Sequence, residues 1–259
     1  MEIRILGARQ GESRQTHFDS ILVDGVLALD AGSLSSMLDL SEQAGIDSVL
    51  LTHSHFDHIK DLASLGFNLM GRRQVRICCT AKARAAIEAT VLSDQIWINF
   101  FVRPTPAAPT FIHNPVEAGR AFTVAGYRVR AVPVLHSLPT LGYEITAPTG
   151  GTVFYTGDNG PGSGAAWAST TPDLLITEVT TPDAEAAQTA QHGHLTPKLL
   201  SEELRIYRSL RGFLPTVLVI HVNPYHEAEV IAEIAHLAAD LAADISVAAE
   251  GSVYTVGAR

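Results

Sequence analysis

The sequence predicts an α+β fold in which two β-sheets pack face to face and helices cover both from outside. Three observations predict it. Apolar strands come in antiparallel groups, then helices, then strands, then helices, so the order of element types repeats in kind along the chain. The 259 residues are 46% hydrophobic and 17% charged, enough apolar material for one large core. No internal repeat, low-complexity tract or long flexible linker divides them, so residues 1–259 read as a single domain.

The elements follow in order. EIRILG is a strand, ARQGESRQTHFD a polar loop, and SILVDG and VLALDAG are strands joined through a Asp-Gly hairpin signal. LSSMLDLSEQAG reads as a helix stopping at Gly45, and DSVLLTH as a short buried strand. DHIKDLASLGFNL reads as a helix with Asp57 placed to cap its first turn. Residues 75–80 form a strand and AKARAAIEATVL a helix, while the proline-rich VRPTPAAPTFIHNP reads as a connection. AFTVAG, YRVRAVPV, LGYEITA and GTVFYTGD are short strands, and DLLITEV and TVLVIHV later buried ones. TPKLLSEELRIYRSLRG has Thr196 as N-cap, Pro197 at the first helical position and Gly212 as its stop. HEAEVIAEIAHLAADLAA carries an apolar stripe at helical spacing, and ISVAAEG and SVYTVG close the chain as strands.

Composition narrows the function. A net charge of −9 argues against a broad nucleic-acid footprint, which needs clustered Lys and Arg. It leaves room for a small anionic substrate, because bound metal ions can reverse the local sign. The only cysteines, Cys78 and Cys79, are neighbours in an apolar strand and offer no disulfide framework, which fits a reducing compartment. The start MEIRILGARQ lacks the apolar run of a signal peptide, and no stretch approaches the ~20 apolar residues of a spanning helix. A cytoplasmic protein without a membrane segment is expected. Apolar surface on FNLM and in the IWINF region could join two copies as a homodimer.

The chemistry concentrates in LLTHSHFDHIKDL, where His53, His55, Asp57 and His58 fall within six positions. His53 and His55 are two apart, so in an extended segment they point the same way. Asp57 and His58 lie past a bend and face a different point. That spacing suits two metal ions side by side, each needing further ligands from elsewhere. Three candidates each directly follow an apolar strand: His136 after RAVPVL, Asp158 after TVFYTG and His221 after TVLVI. Zinc fits the His-rich set best, and imidazole with carboxylate also suits iron and manganese.

His-x-His-x-Asp-His after a strand, followed in order by a His, a Gly-Asp and a late His, resembles the metallo-β-lactamase superfamily over nearly the whole chain. The resemblance implies a four-layer αββα sandwich. It also implies that His53, His55 and His136 hold one metal, that Asp57, His58 and His221 hold the other, and that Asp158 bridges them. Asp30, in LDAG, matches a position that supports the ligand loop, although turn chemistry alone would also explain an Asp there. The string VLHS around His136 lacks the Gly-His-Thr surroundings of β-lactamases. It is closer to the phosphodiesterase branch, where class II cyclic-nucleotide phosphodiesterases and, more distantly, tRNase Z belong. ITEVTTPDAEAAQTAQHGHLTP, DQIWINF and IHVNP resemble the same branch, with Glu178 as the strand-ending acid and His194 as the later histidine.

The function implied is a dinuclear metal-dependent hydrolase acting on a small, cyclic or related phosphodiester. A metal-bridging hydroxide would attack phosphorus, and His194, oriented by Glu178, would protonate the leaving alkoxide. Asp57 joins these two in the catalytic set as well as holding metal. His192 is the rival to His194. A thioester or lactone hydrolase on the same metals is the first alternative and would not need His194. A tRNase Z-like nuclease is the second, disfavoured by the acidic balance and by the absence of a long basic arm. His17 would lie in a loop at the pocket mouth or in solvent, and His113, His226 and His236 on loop or helix surfaces. Trp97, Phe100 and Phe101 are open to two readings, stacking a base or filling core.

Overall fold

Residues alternate between two apolar environments along the first strands, and this alternation sets the layers. Ile3 and Ile5 point to one side of their strand and Leu6 to the other; Val49 and Leu50 divide in the same way. The computed structural model describes residues 1–257. Its strands are β1 (Glu2–Gly7), β2 (Ser20–Val23), β3 (Leu27–Leu29), β4 (Ser48–Leu50), β5 (Val75–Cys79), β6 (Pro104–Thr105), β7 (Ala108–Pro109) and β8 (Phe111–Pro115). The second half supplies β9 (Ala121–Val124), β10 (Tyr127–Val134), β11 (Thr140–Thr146), β12 (Thr152–Tyr155), β13 (Leu174–Glu178), β14 (Thr216–Ile220), β15 (Ile245–Val247) and β16 (Val253–Thr255).

These build two seven-stranded sheets, ordered β16-β1-β2-β3-β4-β5-β8 and β15-β14-β13-β12-β11-β10-β9. Between them lies one apolar layer, in which Ile5, Ile21 and Leu50 of the first sheet meet Tyr143, Ile176 and Leu218 of the second. The outer face of the first sheet is covered by α1 (Leu34–Met37), α2 (Leu40–Gly45), α3 (Phe56–Ile59), α4 (Leu62–Leu69) and α5 (Ala81–Ala89). The outer face of the second is covered by α6 (Gly164–Ser169), α8 (Pro197–Arg211) and α9 (Glu227–Leu241), with the short α7 (Ala186–Gln191) leading into α8. The arrangement is the expected αββα sandwich. No helix of the described residues is long and apolar enough to cross a membrane.

Local expectations fare well where a signal is local. Asp24 and Gly25 both take positive φ, 45° and 71°, as the hairpin between β2 and β3 requires. Helix α8 has Thr196 as N-cap, Pro197 in its first turn and Gly212 as a left-handed C-cap. Three expectations need correction, and two helices are unexpected. LSSMLDLSEQAG is two helices, because Asp39 stops the first and caps the second through a reciprocal box with Glu42. The helix expected from Asp57 is also two, α3 and α4, and α3 starts at Phe56 with His55 at its N-cap, so Asp57 does not cap it. FIHNP is no connection: it is β8, paired in parallel with β5. Helices α6 and α7 lie in stretches that carry little apolar periodicity.

The aromatic segment also resolves. Phe100 and Phe101 are buried in the outer layer of the first sheet and pack edge-on against Phe111. Trp97 stays at the surface beside Phe67, its indole N–H donating to the Ala63 carbonyl. Phe100 presses on α4 where Gly66 has no side chain; a Cβ there would stand 2.2 Å from the Phe100 ring. Gly66→Ala should therefore destabilise the fold by about 1–3 kcal/mol through overpacking, read as a lower urea midpoint at unchanged m-value. A midpoint equal to that of the wild type would show that α4 can move off Phe100 freely.

Candidate active site

One edge of the sandwich collects strand ends. His53 follows β4, His136 follows β10, Asp158 follows β12, Glu178 ends β13 and His221 follows β14. A side chain at a strand end is held by the sheet behind it while its tip is free to face a ligand. Two of the backbone positions are strained: Asp30 and His221 have φ of 54° and 63°, in the left-handed region that non-glycine residues avoid.

The first group is His53, His55, His136 and Asp158, whose ligand atoms all lie within 4.8 Å of one another. His53 Nε2 and His136 Nε2 lie 3.0 and 3.2 Å from His55 Nδ1. Asp158 Oδ2 is 3.5 Å from His53 and 3.6 Å from His136. Burial, with the neighbouring imidazoles, lowers the pKa of all three histidines, so each is a neutral ring with a lone pair. The His136 tautomer is set by its Nδ1–H, which donates to the Gly193 carbonyl at 2.9 Å.

The second group is Asp19, His58, Asp158 and His221, so Asp158 belongs to both. His58 Nδ1–H donates to Asp30 at 2.7 Å and His221 Nδ1–H to Asp19 at 2.8 Å. A carboxylate only accepts, so each ring keeps a proton on Nδ1, and in its neutral form the lone pair is on Nε2. Burial opposes charge on both rings, but Asp158 with Asp30 or Asp19 outweighs it and raises both pKa values, that of His221 to about 10. Burial pushes Asp19 up to about 6. Asp57 is outside this tightest set, yet its Oδ2 lies 3.7 Å from His58 Nε2 and 3.9 Å from His221 Nε2, on the solvent side. Asp30 is fully buried and accepts from Thr52 N, Thr52 Oγ1, Tyr155 OH and His58, which is far more than a turn residue does.

Both groups fit a divalent cation. Metal–nitrogen bonds of about 2.0–2.1 Å in a tetrahedral site put ligand atoms ~3.3 Å apart, and four of the pairwise separations in the first group are 3.0, 3.2, 3.5 and 3.6 Å. Asp19 Oδ1 is buried without a hydrogen-bond partner, and the buried His58 Nε2 and Asp158 Oδ1 face one another at 3.0 Å with no other hydrogen bond. Polar atoms left so are costly unless something else, such as a cation, satisfies them.

Glu178 is fully buried and accepts from His194 Nδ1, Thr180 Oγ1, Asn159 N and Leu195 N. His194 stands over both groups, its ring 4.9 Å from that of His136 and stacked 5.3 Å from that of His221. Burial works against its charge, but Glu178 outweighs it and raises the pKa. His192 points to solvent instead. The loops interlock through glycines. A Cβ at Gly193 would come within 2.8 Å of Ser137 N, and one at Gly160 within 3.0 Å of Gly193.

Asp19 is the residue the sequence reasoning missed. It immediately precedes an apolar strand, whereas His136, Asp158 and His221 follow theirs, and it sits 202 positions from the histidine it meets. His17 does not face the site: its ring is paired with Glu250 at 2.7 Å, and that carboxylate also accepts from Ala8 N and His17 N. His113 is half-buried in β8 with its Nε2 against the Cys79 carbonyl, not on a loop or helix.

Comparison with known proteins places these features. Residues 19–222 match the family model described as β-lactamase superfamily domain. The structure is similar to unliganded yeast PDE1, with a TM-score of 0.82 at 16% identity over 99% of both chains. It is also similar to the metallo-β-lactamase fold protein YhfI from Bacillus subtilis, with a TM-score of 0.76 at 17% identity over 98% of this chain and 99% of that one. At such identities the likeness is one of fold. Over 109 residues the chain is 35% identical to a Porphyromonas gingivalis protein named octanoyltransferase, a match covering 39% of this chain and 20% of that protein. From the matched span, the sandwich and the edge that gathers its histidines, the chain belongs to the metallo-β-lactamase superfamily.

Proposed function

We propose that this protein is a hydrolase that uses two divalent metal ions, zinc by preference, to cleave a small anionic phosphodiester such as a cyclic or linear nucleotide ester. One observation carries the reading: two ligand groups share Asp158, and the His194–Glu178 pair stands over both. His53, His55, His136 and Asp158 would hold one ion. His58, His221 and Asp158 would hold the other, with Asp57 on the solvent side and Asp19 behind His221. Bound there, the ions would supply an acidified water and stabilise charge on the phosphoryl oxygens.

The protein's own groups do the rest. Asp30 and Asp19 fix the tautomers of His58 and His221, and Gly193 that of His136. Glu178 favours the protonated form of His194 and turns the ring so that Nε2, which has no partner among the described residues, can give its proton to a leaving alkoxide. That need favours a phosphodiester over a thioester, whose thiolate leaves without help. The likeness in fold to yeast PDE1 supports the same choice. The net charge of −9 argues against RNA as substrate.

The test is metal analysis of the purified protein beside a panel of cyclic nucleotides, bis(p-nitrophenyl) phosphate, a thioester and a lactone. Turnover of only the thioester or lactone would overturn the phosphodiester reading. His194→Ala should slow cleavage of an alkoxide-leaving ester by ~10²–10⁴-fold and that of a p-nitrophenyl ester much less, with metal content intact. Equal losses on both esters, or loss of metal with activity, would remove His194 from its role. Divalent metal should raise the thermal midpoint and a chelator lower it, because the cation satisfies buried groups only in the folded chain; a midpoint indifferent to both argues against any metal centre. Gly193→Ala should weaken metal binding ~10–100-fold by pushing the His136 carbonyl partner away. Gly212→Ala is the control: its φ is also positive, at 79°, but nothing lies within 4 Å, so metal affinity should hold.

A further inference from the structure

A cleft of about 140 Å³ opens beside the first ligand group, at the ends of β4 and β5. Its floor begins at Ser54, the residue between His53 and His55, and one wall is Leu138 and Pro139, which follow His136. Ala83 and Ala86 of α5 form the opposite wall, and Lys82 stands at the rim. Side chains alternate along an extended segment, so Ser54 turns away from the point that His53 and His55 face and into the cleft. The cleft is thus a direct lateral continuation of the candidate active site.

Its chemistry is specific. The walls are carbon, and a cavity of roughly 150 Å³ with such a lining suits one six-membered ring. Three polar side chains break the apolar lining: Ser54, Lys82 and Thr80, whose hydroxyl is already engaged in capping α5 through Ala83 N. The Ser54 hydroxyl makes no hydrogen bond among the described residues, and exposed Lys82 makes no ion pair. A ring with heteroatoms at its edge would meet the hydroxyl, and a carbonyl or phosphoryl oxygen would meet the ammonium. An ammonium without an ion pair beside the site complements an anionic ligand.

We infer that this cleft is a subsite for a single six-membered heteroaromatic ring, the base of a pyrimidine nucleotide, attached through its sugar to the ester cleaved next door. The inference rests on the phosphodiester reading for the reaction, and the two can fail separately. Ala83 is too deep in the core to enlarge, but Ala86 is half-exposed, so Ala86→Leu fills the cleft from the solvent side of α5.

The experiment uses the metal-loaded protein, two substrates and one ligand. The substrates are thymidine 5′-(p-nitrophenyl phosphate) and methyl p-nitrophenyl phosphate, which share a leaving group and differ in the ring. In Ala86→Leu the ratio of kcat/KM for the thymidine ester to that for the methyl ester should fall about tenfold, the worth of a blocked apolar pocket. Lys82→Met, a change at an exposed side chain that leaves the fold alone, should lower the same ratio in the same direction. Calorimetry with thymidine 5′-monophosphate should show a similar weakening in both variants. A ratio and a thymidine monophosphate affinity equal to those of the wild type in both variants would overturn the subsite. If neither ester is cleaved, the hydrolase reading falls, and the calorimetry still decides the cleft.

Discussion

Four carboxylates, those of Asp19, Asp30, Asp158 and Glu178, are buried at one edge of this sandwich, and buried anions must be matched. That constraint organises the site. Asp30 and Glu178 are satisfied by neutral donors and one imidazole each. Asp19 and Asp158 are not: Asp19 Oδ1 is buried without a hydrogen-bond partner, and Asp158 Oδ1 has only the His58 imidazole 3.0 Å away. The carboxylates of Asp158 with Asp30 or Asp19 favour the charged form of His58 and His221, which is why both are pulled upward in pKa. A divalent cation between the imidazoles would do the same work with stronger bonds, and would let those rings act as neutral ligands.

The two sheets make that arrangement affordable. The apolar layer between them, and the helices outside, hold β4, β12, β13 and β14 so that their ends meet at one rim. The loops that leave those ends are then locked to each other by contacts only glycine permits, Gly160 on Gly193 and Gly193 on His136. Because Gly193 lies one residue before His194, the segment that fixes the His136 tautomer also sets the position of the His194 ring. A shift in that loop would disturb both functions at once.

Separation of roles extends to the aromatic residues. Phe100 and Phe101 serve packing, and Trp97 rests on Phe67 at the surface, so none of the three is tied to the ligand-bearing rim by a contact. The space beside the ligand loop is bounded instead by small and aliphatic side chains and a lysine. Under the subsite proposed for that space, discrimination would fall to shape and one charge more than to stacking.

Much of this was legible in the chain as a string of residues. The spacing of His53, His55, Asp57 and His58 is local, and local spacing sets which way neighbouring side chains point. The same holds for His136, Asp158, Glu178 and His221 after apolar strands, for Thr196 and Gly212 around α8, and for Asp24-Gly25 in the hairpin. What only the tertiary structure decided are the facts that depend on distant partners. Asp19 became part of the site because its carboxylate meets His221, and FIHNP became a strand because β5 offered it an edge. His194 rather than His192 faces the groups because Glu178 holds it there. Helices broke at Asp39 and near Lys60 because a capping box and the ligand loop competed with periodicity. Burial and charge compensation act through space, and no window along the sequence records which atoms will share it.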